Sequence, residues 1–425
     1  MINRHSLETI EGAKFSKLFI RPLYDSYCFS NIPRTIQDIF FDEKKSLLPK
    51  EVLGSLPSRY EKIVLFVIDG FGWQFFERYS EKYPFLRYIV KNGVVSQLTT
   101  QYPSTTASEM TTIHTGLPVG EGGVYEWFYY EPKVDAIIAP LLFSFAGKKE
   151  RGNLQSTGID PKDLFPQQTL YAGLREKNID SFIFSYVEYA QSPYTKIMTR
   201  GGTNIPYATI PEALTNLSDL LITNHRKSYY VAYFDTIDKI AHQYGPDSPQ
   251  FAAEVDAFFY SMERFFLNKL KGKLKNTLCM ITADHGHASI NPKTTIYLNQ
   301  RFPQVAEWLK TNKKGELLVP AGSCRNMILH VREEYLSRAH TFLRNSLACK
   351  AEVYYVDDLI KQKFFGLGEP SKVFLDRIGN LAILPYNNES VWWYEKDKFE
   401  IKYYGHHGGM TPEEMKTILL CLSFS

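Results

Sequence analysis

The sequence predicts an α/β fold, a parallel sheet covered by helices on both faces. Three observations carry that expectation: short β-rich apolar runs, helix-period segments between them, and polar motifs that begin where the runs stop. The runs are Ile63 to Ile68, Ser181 to Ser185, Tyr229 to Phe234 and Leu278 to Thr282. They are continuous rather than alternating, as strands buried on both faces are. Helix-period segments span Phe71 to Tyr79, Ile210 to Leu221 and Phe251 to Leu270. In open α/β sheets, ligands gather beyond the carboxyl ends of the strands. Asp69 follows the first run, Asp235 and Asp238 the third, and Asp284 and His285 the fourth, so residues distant in sequence are expected on one rim.

From about Asn291 to Tyr404 the texture changes, with Pro320, Gly322, Gly366, Gly368 and Pro370 punctuating short elements. This stretch reads as a lobe inserted before a last core element. Within it, Asn326 to Val331 and Ala351 to Val356 are expected as strands around a helix from Glu333 to Leu347, with a second helix from Val356 to Phe364.

Composition bounds the function. Hydrophobic residues make up 44% of the 425 and charged residues 22%, the balance of a chain that folds around a sizeable core. A net charge of +3 spread over that surface argues for no stable nucleic-acid partner. The longest nearly apolar stretch, Ala136 to Ala146, contains Pro140 and Ser144 and is too short to span a bilayer. Met1 to Lys17 lacks the apolar core of a secretory signal, so a cytoplasmic location is expected. Five scattered cysteines without CxxC spacing predict no disulfide framework.

Chemistry is concentrated in a few motifs. Asp238-Lys-Ile-Ala-His242 sets a carboxylate and an imidazole four residues apart, on one face of a helix, where they can share a zinc ion or form an ordinary helix pair. Asp284-His285-Gly286-His287 follows a strand. Joint ligation by neighbours on an extended segment needs a turn, which Gly286 permits; the alternative is a helix-capping Asp with an exposed His. Asp69 ends the first strand in Asp69-Gly70-Phe-Gly72, and His407 lies in Gly405-His-His-Gly-Gly409, just before the helix-start signal Thr411-Pro-Glu-Glu414. Tyr102-Pro-Ser-Thr-Thr106 is extended and then turns helical, which sets a hydroxyl at a helix N-terminus, a position that favours anions. Ser104 or Thr105 is equally placed to be the N-cap.

In this order the motifs resemble the type I phosphodiesterase and nucleotide pyrophosphatase family of the alkaline phosphatase superfamily, over Val64 to Met410. The resemblance implies an alkaline phosphatase-like three-layer α/β/α sandwich with a small inserted α+β lobe. Residues 1–290 plus 405–425 would form the catalytic core and 291–404 the lobe. It further implies two divalent metal ions, zinc by ligand type with manganese tolerated. One would be held by Asp238, His242 and His407, the other by Asp69, Asp284 and His285 together with the oxygen of Thr106. Thr106 would be the nucleophile, ten residues before Gly116 of Thr-Gly-Leu, with Thr105 as fallback. The expected activity is cleavage of a phosphodiester or pyrophosphate bond of a small-molecule or nucleotide substrate through a phospho-threonine.

Departures from the family pattern bear on substrate. Glu126 stands where an Asn amide normally holds a phosphate oxygen, and an ionised carboxylate only accepts hydrogen bonds. It is read as engaging a substrate hydroxyl or amine, binding an extra cation, or forming a structural salt bridge. Tyr125, Trp127, Phe128, Tyr129 and Tyr130 are either core or the wall of a nucleobase slot. Arg325 is a candidate contact for the leaving group or half of a surface ion pair, and His287, at a position typically apolar in the family, is expected to support a ligand from behind. Cys/Ser-x-Pro-x-Arg is missing, which disfavours a sulfatase. The enzymatic rival is a phosphomonoesterase or phosphosugar mutase, and the rival from another class is a non-catalytic nucleotide-binding protein.

Overall fold

The computed structural model describes residues 1–148 and 150–424. Its centre is a seven-stranded sheet built from β1 (Lys62–Ile68), β2 (Val94–Thr99), β3 (Asp180–Tyr186), β4 (Thr203–Tyr207), β5 (Ser228–Phe234), β6 (Thr277–Thr282) and β7 (Lys416–Phe424). Spatially they run β2-β7-β6-β1-β5-β3-β4. All the pairings among β6, β1, β5, β3 and β4 are parallel, whereas β7 is antiparallel to both β2 and β6. The expected all-parallel sheet thus has one reversed strand. The reason lies in the chain path: β7 is entered from the loop carrying His407, which already lies at the rim, so the strand can only run back down.

The β1 side chains show why two helical layers are required. Val64, Phe66 and Ile68 join a cluster with Phe71, Phe75, Phe251 and Phe258, while Ile63, Leu65 and Val67 join a separate one with Ile32, Ile36, Met110 and Leu170. Period-two alternation puts apolar groups on both faces, and burying both takes a helical layer above and below. This is the three-layer α/β/α sandwich. The expected helix from Phe251 to Leu270 is a helix over Pro249–Ser261, a π-helical turn over Met262–Leu267 and a last turn over Asn268–Leu270. The expected helix start at Thr411 is present, with Thr411 and Glu414 forming a capping box, yet the helix lasts only Pro412–Met415 before the apolar run of β7 claims the chain.

A four-stranded antiparallel sheet occupies much of 321–385, in the order Ala321–Ser323, Asn326–Leu329, Leu381–Pro385, Ala351–Tyr355. Its helices run over Leu336–Ser346 and Val356–Lys361. A three-stranded antiparallel ribbon, Tyr129–Glu131, Ala136–Ala139 and Ser144–Phe145, shares an apolar cluster with that sheet, and Gly322 donates its amide to Phe128 O at 2.7 Å. No helix among the described residues is long and apolar enough to cross a membrane.

Candidate metal centre

Strand order assembles the site. β6, β1 and β5 are neighbours, with Ile68 opposite Phe234 and Val67 opposite Thr282, so the residues beyond their carboxyl ends emerge side by side. Those residues are Asp284 and His285, Asp69, and the helix Thr236–Tyr244 with Asp238 and His242 on one face. The reversed β7 begins at the same rim, which brings His407 into the group. β2 ends there too and leads to the helix Thr106–Thr115.

In the first cluster, Asp69, Asp284 and His285 are buried. His285 Nε2 lies 3.3 Å from Asp69 Oδ1 and 3.4 Å from Asp284 Oδ2. Ligands about 2.1 Å from one tetrahedral zinc ion lie about 3.4 Å apart, so this spacing suits a single ion. Each carboxylate has one oxygen committed and the other orphaned. Asp284 Oδ1 accepts from the amides of Gly70 and His285, and Asp69 Oδ2 accepts from the Tyr233 hydroxyl, while Asp284 Oδ2 and Asp69 Oδ1 are buried without a partner. An unpaired buried carboxylate oxygen is costly, and here two of them face one imidazole nitrogen. Burial, then the charges of Asp238 and Asp284, push the Asp69 carboxyl well above the usual range. A bound cation would relieve that repulsion, so the residues fit a divalent ion.

The second cluster gathers imidazoles around one carboxylate. Asp238 Oδ1 lies 3.4 Å from His242 Nε2 and 3.7 Å from His407 Nε2, each near the tetrahedral spacing, but the sets close enough to share one ion are Asp238, His242 and His287, and Asp238, His285 and His407, so the expected trio is split between them. Burial opposes ionisation of Asp238, but the imidazoles of His242, His287 and His407 outweigh it and hold the carboxyl well below its usual range. Burial pushes His242 down to about 4 and His407 well below its usual value, which keeps both in the neutral form that a metal ion requires of an imidazole. Three imidazoles are aimed the same way. Nδ1 of His242, His285 and His407 contacts the carbonyls of Gly405, Gly286 and Ser104 at 2.8, 3.0 and 3.0 Å, leaving each Nε2 for the site.

His287 makes the shortest contact in this cluster, Nε2 to Asp238 Oδ1 at 2.7 Å, and its Nδ1 is buried without a partner. It approaches over Gly70, whose φ is +74° and where a Cβ would come 2.9 Å from His287 Nε2. Gly286 is required for a different reason: a Cβ there would lie 2.1 Å from the carbonyl oxygen of Glu413, in the strap that returns the chain to β7.

Thr106 lies between the clusters. Its Oγ1 is 3.1 Å from His285 Nε2 and 3.4 Å from Asp69 Oδ2. The neighbouring hydroxyls are occupied otherwise or idle. Ser104 Oγ donates to Gly409 O and accepts from the Gly408 amide, and Thr105, the residue at the N-cap, makes no side-chain hydrogen bond to the first turn. The Ser108 amide donates to the Thr105 carbonyl, so the amides of Thr106 and Ala107 and the helix dipole are what the turn offers an anion.

A cavity of about 920 Å³ opens over both clusters, lined by Asp69, Thr106, Asp238, His242 and His407 and walled farther out by Trp127, Tyr186, Tyr189 and Tyr207. Trp127 is 38% exposed, whereas Tyr125 is fully buried and stacks on Tyr129, so of the aromatic cluster Tyr125 is core and not a slot wall. Arg325 is a second correction. It is completely buried, paired bidentately with Glu414 at 3.0 and 2.9 Å, and cannot reach a leaving group. Glu414 sits at the capping box and offers the planar fork that a guanidinium matches best. Glu126 is also fully buried but forms no salt bridge among the described residues. Its Oε2 accepts from the Trp127 amide at 2.5 Å and its Oε1 from Asn326 Nδ2 at 3.3 Å. Sequence reasoning missed Tyr233, which holds Asp69, and the tyrosines of the far wall. Tyr233 had a usable signal, since it lies five residues before Asp238 near the end of a strand aimed at the rim.

A family model for type I phosphodiesterases and nucleotide pyrophosphatases matches residues 63–410. Among solved structures, the chain is similar to an inactive variant of murine ectonucleotide pyrophosphatase/phosphodiesterase 5 in complex with AMP, with 16% identity, a TM-score of 0.64 and coverage of 85% of this chain and 88% of that one. The human ectonucleotide pyrophosphatase/phosphodiesterase 5 gives 17%, 0.64, 85% and 88%. At such identities the likeness is one of fold. Comparison with curated protein sequences returns no match.

Proposed function

The chain belongs to the type I phosphodiesterase and nucleotide pyrophosphatase family and is a phosphoric ester hydrolase, and on that premise we propose that it cleaves a phosphodiester or pyrophosphate bond by attack of Thr106 on phosphorus, at a centre for two divalent ions. The observation that carries the reading is the position of Thr106 Oγ1 at a helix N-terminus, 3.1 Å from His285 Nε2, the nitrogen that two orphaned carboxylate oxygens also face. Asp69, Asp284, His285 and Thr106 would hold one ion, and Asp238, His242 and His407 the other. Mixed carboxylate and imidazole ligation suits zinc first and tolerates manganese. Divalent ions bound there lower the pKa of an adjacent hydroxyl and screen the charge on the phosphoryl group.

The chain's own residues do the rest. The first turn of the Thr106 helix receives the phosphoryl oxygens and fixes the group in line with Oγ1. As the Thr106 oxygen bonds to phosphorus, the bond to the leaving oxygen breaks, and a phospho-threonine remains. Water then attacks the same phosphorus, Thr106 leaves as the free hydroxyl, and the phosphoryl group departs as product. The three anchored imidazoles keep the site from rearranging between the half-reactions. A nucleotide substrate is supported by the cavity's aromatic walls and by the AMP bound to the murine relative.

Turnover of bis(p-nitrophenyl) phosphate against p-nitrophenyl phosphate tests the bond type. The reading expects preference for the diester, and a strong monoester preference would favour a phosphomonoesterase instead. Thr106→Ala tests the nucleophile, and turnover equal to the parent's would rule Thr106 out.

A further inference from the structure

Most charges buried near this site are answered. Arg325 meets Glu414, Arg377 meets Glu131 at 2.7 Å, and Asp238 meets three imidazoles. In the cavity wall, outside the two clusters, Glu126 is a fully buried acid with no cation beside it among the described residues. It lines the same cavity as Thr106 and is met by neutral donors, the Trp127 amide and the Asn326 side chain, with the Ser323 hydroxyl beside them. The second donor is itself fixed, because Asn326 Oδ1 accepts from the Tyr102 hydroxyl at 2.7 Å. Glu126 Oε1 also lies against Gly408, the residue after His407, at 3.1 Å from where a Cβ on that glycine would be. The carboxyl therefore borders the loop that shapes the second cluster, and it brings no positive charge to the place where a phosphoryl group must sit.

A doubly esterified phosphoryl group carries one negative charge at neutral pH and above. The terminal phosphoryl of a monoester carries two, because its second pKa is about 6. A buried acid without a counter-cation discriminates between them: the second charge either meets a carboxylate at short range in a poorly screened site or forces that carboxylate to take up a proton. Resting on the phosphoryl-transfer reading above, we propose that Glu126, when ionised, is a specificity-determining residue that disfavours dianionic phosphoryl groups and so biases the site toward diesters over monoesters. Burial pushes its carboxyl up to about 8, so its charge develops in the range where assays are practical. Around it lie Tyr102 and Tyr125, whose phenols burial raises well above their usual value, Cys324, whose thiol burial also raises, and the mutually paired Glu414 and Arg325. His407, next to Gly408, is kept neutral by its burial. Glu126 is thus the group among these that changes charge near pH 8.

The test is the ratio of kcat/KM for p-nitrophenyl phosphate to that for bis(p-nitrophenyl) phosphate, measured on the metal-loaded enzyme at pH 9. Glu126→Gln keeps the shape and removes the charge, and is expected to raise the ratio by about tenfold or more, with inorganic phosphate becoming a tighter inhibitor. In the parent enzyme the same ratio is expected to fall as pH rises through about 8. That measurement needs no variant and stands even if Glu126→Gln fails to fold. An unchanged ratio in Glu126→Gln, or a flat ratio across pH in the parent, overturns the proposal while leaving the reaction itself in place. A parent that prefers the monoester, or a Thr106→Ala variant that still turns over the diester, overturns the reading on which it rests.

Discussion

The two candidate ligand clusters lie side by side and pose opposite electrostatic problems. Around Asp69 and Asp284, two carboxylates at most 2% exposed share one imidazole, so negative charge accumulates and two oxygens have no partner. Around Asp238, one carboxylate is surrounded by His242, His287 and His407, and the side chains of Asp238, His242 and His407 are 11 to 18% exposed. The first cluster is frustrated without a cation, whereas the second is partly compensated by its own imidazoles. An ion at the first should therefore be the harder to remove and the more important to folding, and an ion at the second the more exchangeable.

The sharpest way to break that comparison is at the residue between the clusters. Thr106→Ala is expected to lower kcat by about four orders of magnitude while both ions remain bound, as stopped assays and metal analysis would show. Loss of an ion in that variant would move Thr106 from chemistry to metal retention. Next in size are the ligands themselves. Asp284→Asn should cost stability as well as activity, because it alters the buried cluster, whereas His242→Ala should cost activity chiefly; thermal melts beside initial rates would separate the two.

Chelation probes the same contrast without mutation. Saturating each site at a hundredfold excess over its Kd stabilises the fold by about 2.7 kcal/mol. Graded chelator should lower Tm in two steps, the smaller step coming first from the Asp238 site. A single step would mean the clusters act as one. His287→Phe removes the 2.7 Å contact to Asp238 and is expected to weaken metal affinity at that site by about 10- to 100-fold, read by competition with a chromophoric chelator.

Much of this centre was legible in sequence, and the reasons are physical. Asp69, Asp284 and His285 each follow a β-rich run, and Asp238 and His242 are spaced for one helix face, so local pattern alone carried them to a rim. What it could not carry was adjacency. That β6, β1 and β5 are neighbours, and that β7 is reversed and so brings His407 to the same edge, depends on pairings between residues hundreds of positions apart. Arg325 was misplaced for a related reason: its partner Glu414 lies 89 residues away and is half of a helix cap. The tyrosines of the far wall carried no motif, and in a chain with 28 tyrosines composition could not single out Tyr186, Tyr189 or Tyr207.

A pH-dependent effect on stability is expected from Glu126. Its folded-state pKa of about 8 exceeds the ordinary value of 4.5, so the folded protein holds a proton that the unfolded chain releases. The associated stability is fully present below about pH 4.5 and is lost as pH rises through about 8. Glu126→Gln lacks this loss, so its Tm should gain on the parent's between pH 5 and 8, by the equivalent of roughly 3 kcal/mol at most. A constant difference across that range would mean the carboxyl is ionised in the fold.

The central claim is that two sets of residues bind divalent ions on either side of Thr106. Metal analysis of the purified parent, of Asp284→Asn and of His242→Ala tests it most directly. Two ions per chain are expected in the parent and one in each variant, whereas no metal in the parent, or two in both variants, would leave Thr106 without ions held by these residues.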